Sequence, residues 1–299
     1  MSRVKLLFLP ILLVVSIAFL LHLYYDHFKE HEHIAISTNP WVGYTPFVYA
    51  QEKGWLDDTP FRFLWLVDLS DNSKLHNRKF TQGFTATQYE LAHFKQKEQI
   101  SPIFLINRSY GADAILSNYT IDELRGFDDE IDVFLEIGSL NNDFFNAFVS
   151  EHKLERLRFI KIDTSQKSIS HIELDKKPKI IISYHPYIDR LVKKGFSEIA
   201  STKTIKDFFV IDACFMNNEI ISSKKDDLIK LKKIFKDSIE VLERDPREYY
   251  ETIKGYLEGQ SYEEFLEALD QIEWIYDNPS PEILEYLKSI DIDTNEILL

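Results

Sequence analysis

WVGYTPFVYAQEKGW, residues 41–55, gathers five aromatic residues around a turn and a short helix. It follows HIAIST (33–38), a β-rich run broken by Asn39-Pro40. Thr45 has the chemistry of an N-cap, Pro46 suits the first helical position, and Gly54 falls just past the end. Trp41 to Tyr44 are therefore expected in a loop at the carboxyl end of a strand, directly ahead of a helix N-terminus. In open α/β sheets ligands bind at such places, and helix N-termini favour anions. A hydrophobic staple between loop and helix accounts for the same aromatics without any ligand.

Outward from this stretch the pattern alternates between strand and helix. FRFLWLVDL (61–69), ISPIFLINRS (100–109), DEIDVFLEIG (129–138), LRFIKID (157–163), KPKIIISYHP (177–186) and FFVIDACFMNN (208–218) read as strands. TATQYELAHFKQ (85–96), NNDFFNAFVSEH (141–152) and IDRLVKKGF (188–196) carry helical spacing. From Lys224 onward the pattern is almost wholly helical, including SYEEFLEALDQIEWIY (261–276). Alternation of this kind predicts an α/β protein with mainly parallel sheet and a helical C-terminal quarter.

At 299 residues the chain buries a real core without staples. A formal charge of −14 and the lack of a basic stripe argue against nucleic-acid binding. Cys214, the sole cysteine, can form neither an internal disulfide nor a Cys-based zinc site. No catalytic triad, metal site or phosphate loop is legible, so neither an enzyme nor a bound cofactor or metal is expected.

At the N-terminus Arg3 and Lys5 precede an uncharged run from Leu6 to Tyr25, twenty residues long. That length spans a bilayer as a helix, and the flanking charge puts the bulk of the chain outside the cytoplasm. Residues 1–25 are read as an uncleaved signal anchor in preference to an atypical signal peptide, and 26–33 as a polar linker. His27, His31 and His33 in the linker invite a metal by spacing, but a solvated juxtamembrane segment is the simpler reading.

Five groupings lie in order along the chain, the first within the opening stretch: Trp41, Gly43, Tyr44, Pro46, Ala50 and Lys53-Gly54; Gly83 through Glu90; Ser109, Gly111, Ala112 and Asp113; Gly138-Ser139; and Pro186-Tyr187 with Lys194-Gly195-Phe196. Together they resemble the periplasmic substrate-binding proteins of the nitrate, sulfonate and taurine ABC uptake family, which includes binders of thiamine-pyrimidine precursors. The resemblance covers most of the chain after residue 34. It implies a two-lobed type II clamp, with lobe one from 34–116 and 217–299 and lobe two from 117–216, closing over a ligand by a hinge. Tyr184-His185 stand where members of the family often carry Trp-Glu, so a family carboxylate role does not transfer there. Pyrimidine-synthesising relatives rely on a cysteine-rich motif, which the single Cys214 does not supply.

The cleft residues expected on this basis are Trp41, Tyr44, Asn72, Thr85, Thr87, Asn107, Arg108, Ser109, Gly111, Ser139, Asn141, Tyr184 and His185. Each has a plainer alternative: a turn for Asn72, helix caps for Thr85, Thr87, Ser139 and Asn141, a surface arginine for Arg108, a satisfied buried histidine for His185. Arg108 would pair with an anionic ligand group. The expected function is extracytoplasmic capture of a small organic molecule or oxyanion for an ABC permease and ATPase. The alternative is a membrane-tethered receptor that binds the same kind of ligand and signals to a membrane partner.

Overall fold

The computed structural model describes residues 33–66 and 69–298. The anchor read over 6–25, and His27 and His31 of the linker, lie outside the described residues. Among those described, no helix is long and apolar enough to cross a membrane. From Ala35 on, the chain forms one compact unit.

Eleven described strands follow in chain order: β1 (Ile34–Thr38), β2 (Phe61–Trp65), β3 (Gly83–Thr87), β4 (Ile100–Ser109), β5 (Asp113–Ser117), β6 (Ile131–Leu135), β7 (Phe159–Asp163), β8 (Lys179–Tyr184), β9 (Ser197–Ser201), β10 (Val210–Asn217) and β11 (Ile272–Trp274). They make two sheets, ordered β11-β4-β10-β3-β1-β2 and β7-β6-β8-β5-β9. Each sheet has its own apolar core. Phe84, Leu105, Ile211 and Phe215 pack against Ile283 and Leu287 beneath the first. Leu116, Ile181, Leu191 and Phe196 pack beneath the second. Two lobes follow from these two cores.

The lobe boundaries differ from those expected. Residues 113–117 form β5 and pair with β8 and β9 in the second sheet, whereas 210–217 form β10 and pair with β3 and β4 in the first. The chain crosses between lobes at 110–112 and again over 202–209, so lobe one holds 34–109 and 210–298, and lobe two holds 113–201. The sheets are also mixed rather than mainly parallel. β1–β3, β6–β7 and β6–β8 pair in parallel, while β10 runs antiparallel to both neighbours and β5 does likewise in lobe two. A chain that leaves one sheet and returns by a second crossing brings its strand back in the opposite direction.

Three local readings change as well. Gly83–Thr87 is a central strand, flanked by β1 and β10, and the helix begins only at Gln88. Ile272–Trp274 leaves the helical pattern to pair with Asn107–Ser109. Asn72 lies in the helix Leu69–Asn77 rather than a turn. The opening stretch folds nearly as read: a 3-10 turn at Val42–Tyr44, the helix Thr45–Glu52, then Gly54 at φ +71°. Thr45 does not cap; its hydroxyl donates to the Val42 carbonyl at 2.7 Å and closes the preceding turn.

Phe47 and Phe235 fix this helix against the helix Lys225–Arg244. The helix Lys225–Arg244 buries Leu228, Leu231, Phe235, Ile239 and Leu242 at three- and four-residue spacing. Phe235 meets Phe47 at 4.8 Å and Phe104 at 5.4 Å between ring centroids. Fully burying each such side chain is worth about 1.5–3 kcal/mol. The Trp41–Tyr44 loop is thus held on a rigid face of lobe one.

Candidate functional site

Strand register assembles the site as two facing rows. On lobe one, Asp212 of β10 lies directly between Thr87 of β3 and Asn107 of β4. On lobe two, Asp113 of β5 sits opposite Tyr184 of β8. Between the rows is a cavity of about 10 Å³, lined by Asn39, Trp41, Thr87, Asp212 and Val210 from lobe one and by Asp113, Leu140 and Tyr184 from lobe two. That is room for about one water.

Several contacts hold the lobes together around it. Trp41 meets Tyr184 edge to face, with centroids 5.6 Å apart at 87°. Asn39 Nδ2 donates to the Tyr184 hydroxyl at 3.4 Å. The Glu90 carboxylate accepts the Leu140 N–H at 2.6 Å, and Glu136 accepts the Ser70 N–H at 2.7 Å. Farther out, Lys193 pairs with Glu264, and Gln260 donates to Asp189 at 3.1 Å.

Buried carboxyl groups gather at the site. Glu90, Asp113 and Asp212 are all buried. Burial pushes the Asp113 carboxyl up to about 7, with the Glu90 charge adding to it, while Ser109 and His185 oppose the rise. Burial also drives Asp212 well above the usual carboxylate range; the Tyr44 hydroxyl bond opposes this, and the charges of Asp113 and Glu90 reinforce it. Glu90 is raised by burial despite bonds from Thr87 and Leu140. The Tyr44 hydroxyl donates to Asp212 Oδ1, and its own ionisation is suppressed chiefly by burial.

Unsatisfied polar atoms concentrate here. Among the described residues, Asn39 Oδ1, Asp113 Oδ2, Asp212 Oδ2 and both amide atoms of Asn107 are buried with no hydrogen-bond partner. Each such group costs about 1–3 kcal/mol, and so dense a cluster calls for an explanation. The Trp41 indole N–H also lacks a bond of good geometry, yet lies close enough to Asp212 to favour its charged form. Gly43 lets these groups approach: a Cβ there would stand 2.0 Å from Asn107 Nδ2 and 2.7 Å from Trp41 Nε1.

Of the thirteen residues expected in a cleft, Trp41, Thr87 and Tyr184 line the cavity. Tyr44 and Asn107 stand one layer behind, against Asp212. Asn72 and Thr85 are tied up within lobe one, Asn72 donating to the Thr85 carbonyl at 3.0 Å and the Thr85 hydroxyl bonding Thr38 at 2.7 Å. Ser109 and Gly111 belong to the crossing, where the Thr202 hydroxyl bonds Ser109 Oγ at 2.9 Å and accepts the Gly111 N–H at 2.8 Å. Ser139 caps the helix Leu140–Glu151, and Asn141 accepts from Gln166 at 2.7 Å. His185 is half-buried beside Asp189.

Arg108 is the clearest departure. It lies over the Phe209 ring at 4.6 Å and near Tyr110 at 5.6 Å, and does not line the cavity. Strand alternation explains it: with Asn107 and Ser109 on one face of β4, Arg108 points to the other. Asn39, Asp113, Asp212 and Glu90 were missed as site residues. The available signal was an aspartate inside an apolar strand, as in Val-Ile-Asp212-Ala-Cys and Asp113-Ala-Ile-Leu, since a buried carboxylate needs a reason.

A larger groove of about 790 Å³ runs past Tyr89, His93, Ile137, Asp143 and Tyr286. It too draws residues from both lobes, but of the unsatisfied buried atoms it holds only Asn218 Oδ1, whereas the small cavity gathers Asn39 Oδ1, Trp41 Nε1, Asp113 Oδ2 and Asp212 Oδ2 on its wall and is the better candidate. Among the described residues no group of three or more His, Cys, Asp or Glu is placed to hold a metal ion. Cys214 is buried in β10 and its thiol is pushed up by burial, away from reactivity.

No family model and no curated protein matches the sequence. Solved structures do match. A ligand-binding component of an ABC-type import system from Staphylococcus aureus, solved with zinc bound, superposes with a TM-score of 0.64 at 13% identity, over 87% of this chain and 92% of that one. The alkanesulfonate-binding protein SsuA from Xanthomonas axonopodis pv. citri, bound to MOPS, gives 0.63 at 10% identity, over 87% and 91%. The desulfurization enzyme DSZB gives 0.63 at 10%, over 86% and 91%. At this identity the likenesses establish the fold: the chain has the two-sheet α/β architecture of the periplasmic binding proteins. An enzyme among the neighbours means that the fold itself accommodates catalysis as well as binding.

Proposed function

We propose that the chain is an extracytoplasmic solute-binding protein that captures a small molecule between its lobes and presents it to an ABC permease and ATPase. The observation carrying this reading is the cavity at the lobe boundary, where both lobes contribute buried polar atoms without partners. Such atoms are costly in a closed protein and are repaid by a ligand that satisfies them. Opening would hinge at 110–112 and 202–209, parting Trp41 from Tyr184 and Glu90 from the Leu140 amide. A ligand that bonds both rows at once then favours the closed form by its differential affinity. In this reading the apolar N-terminal run tethers the protein on the periplasmic side of the membrane.

A thermal-shift screen of the full chain against small solutes tests it, since a ligand present at a hundred times its Kd adds about 2.7 kcal/mol. Trp41→Ala should abolish the shift while the far-ultraviolet circular dichroism stays native. Loss of the folded spectrum would instead return Trp41 to a purely structural role, and a screen with no shift at all would refute the proposal.

A further inference from the structure

We infer that the ligand is a small organic cation bearing N–H donors, and not an oxyanion. The inference rests on reading the interlobe cavity as the ligand site, and concerns what that site selects.

Charge decides first. Three buried carboxylates face or back the cavity from three elements: Asp212 on β10, Asp113 at the head of β5, and Glu90 on the helix Gln88–Leu91. Among the described residues no Lys or Arg lines it. Arg108 is turned onto Phe209, and the His185 imidazole faces Asp189 at 3.4 Å. Once these carboxyls are ionised, an oxyanion entering this buried space would meet uncompensated like charge, where repulsion is strong.

The feature that would favour an anion is already engaged. The twelve-residue helix Leu140–Glu151 points its N-terminus at the cavity, and helix N-termini attract negative charge. Glu90 of the opposite lobe accepts the Leu140 N–H at 2.6 Å. The protein's own carboxylate thus takes the place a sulfonate or nitrate would need.

Three of the four unsatisfied atoms on the cavity wall are acceptors; the fourth is the Trp41 indole N–H, which lies beside Asp212. Asn39 Oδ1, Asp113 Oδ2 and Asp212 Oδ2 are hydrogen-bond acceptors on the cavity wall, each buried and without a partner. Their complement is a ligand with several N–H donors. Trp41 and Tyr184 add π-surface to the same wall, which attracts cations. A protonated primary amine or a guanidinium has both properties, whereas a quaternary ammonium has charge without donors.

The test is titration calorimetry on the full chain at pH 8 with putrescine, agmatine, tetramethylammonium, methanesulfonate and nitrate. Agmatine or putrescine should bind, tetramethylammonium should bind at least tenfold more weakly, and the oxyanions should not bind. Because the charged carboxylates are the binding form, affinity should fall at least tenfold between pH 8 and pH 6. Asp212→Asn and Asp113→Asn, both close in shape to the parent, should each weaken cation binding at least tenfold while circular dichroism stays native. Binding of methanesulfonate or nitrate without cation binding overturns the inference but leaves the clamp reading standing. Cation binding untouched by both variants overturns it too, by placing the cation elsewhere. If no compound of either class binds, the inference falls, and the clamp reading is decided by the thermal-shift screen.

Discussion

Replacing Asp113 by Asn should flatten the dependence of stability on pH. Asp113 is buried at the start of β5, and its carboxyl is pushed from the ordinary 3.8 up to about 7. Between those values the folded protein keeps a proton that the unfolded chain has released. The unfolded state then binds fewer protons, and stability falls as pH rises. The slope approaches 1.4 kcal/mol per pH unit, and over about three units the accumulated loss is about 4 kcal/mol, an order-of-magnitude figure. Domains of ordinary size have only about 5–15 kcal/mol in all, so the effect is large. Asparagine holds no titrating proton. The variant should therefore match the parent near pH 4 and exceed it by a few kcal/mol at pH 8. The residual slope would belong to Asp212 and Glu90, whose carboxyls are raised as well. Urea unfolding at pH 4.5, 6, 7 and 8, followed by tryptophan fluorescence, measures the difference directly. Curves for parent and variant that run parallel across this range would refute the reasoning, because they would mean that Asp113 ionises as it does in water.

Gly43→Ala should destabilise by about 1–3 kcal/mol, as overpacking does, because its Cβ would stand 2.0 Å from Asn107 Nδ2. Thermal unfolding measures this, and an unchanged melting temperature would mean that Asn107 moves aside freely. Thr202→Val removes the acceptor for the Gly111 N–H and the partner of Ser109 Oγ. A loss of about 1–3 kcal/mol is expected, with faster hydrogen exchange at the Gly111 amide; unchanged protection would rule out this tie at the crossing. Phe47→Ala should cost about 3–5 kcal/mol, since Phe47 is fully buried against Phe63 at 4.5 Å and Phe235 at 4.8 Å. A urea midpoint unchanged from the parent would contradict that packing.

Local features of the sequence were the ones most open to reading. Pro46 and Gly54 bracket the helix Thr45–Glu52 because ring closure and positive φ are properties of single residues. Apolar runs such as Ile180–Ile182 became buried strand because their burial does not depend on which neighbour they find. Central strand and helix were harder to separate at Gly83–Thr87, a five-residue segment too short for periodicity to decide. Arg108 was misplaced for another reason: alternation along β4 separates it from Asn107 and Ser109, so the three do not share a face.

The two-lobed organisation was implied by the family resemblance; the sequence by itself determined where the Trp41 loop would lie and that an aromatic wall would stand near a helix start. These follow from chain-local chemistry: turn residues, caps and the spacing of apolar side chains. The tertiary structure alone decided the character of the cleft. Asp113 and Asp212 lie 99 positions apart and belong to different sheets, and they meet across the cavity because the chain crosses between lobes twice. Glu90 meets the Leu140 amide although 50 positions separate them along the chain. Charge in a buried site depends on which groups are brought together out of water, and no spacing along one strand specifies that.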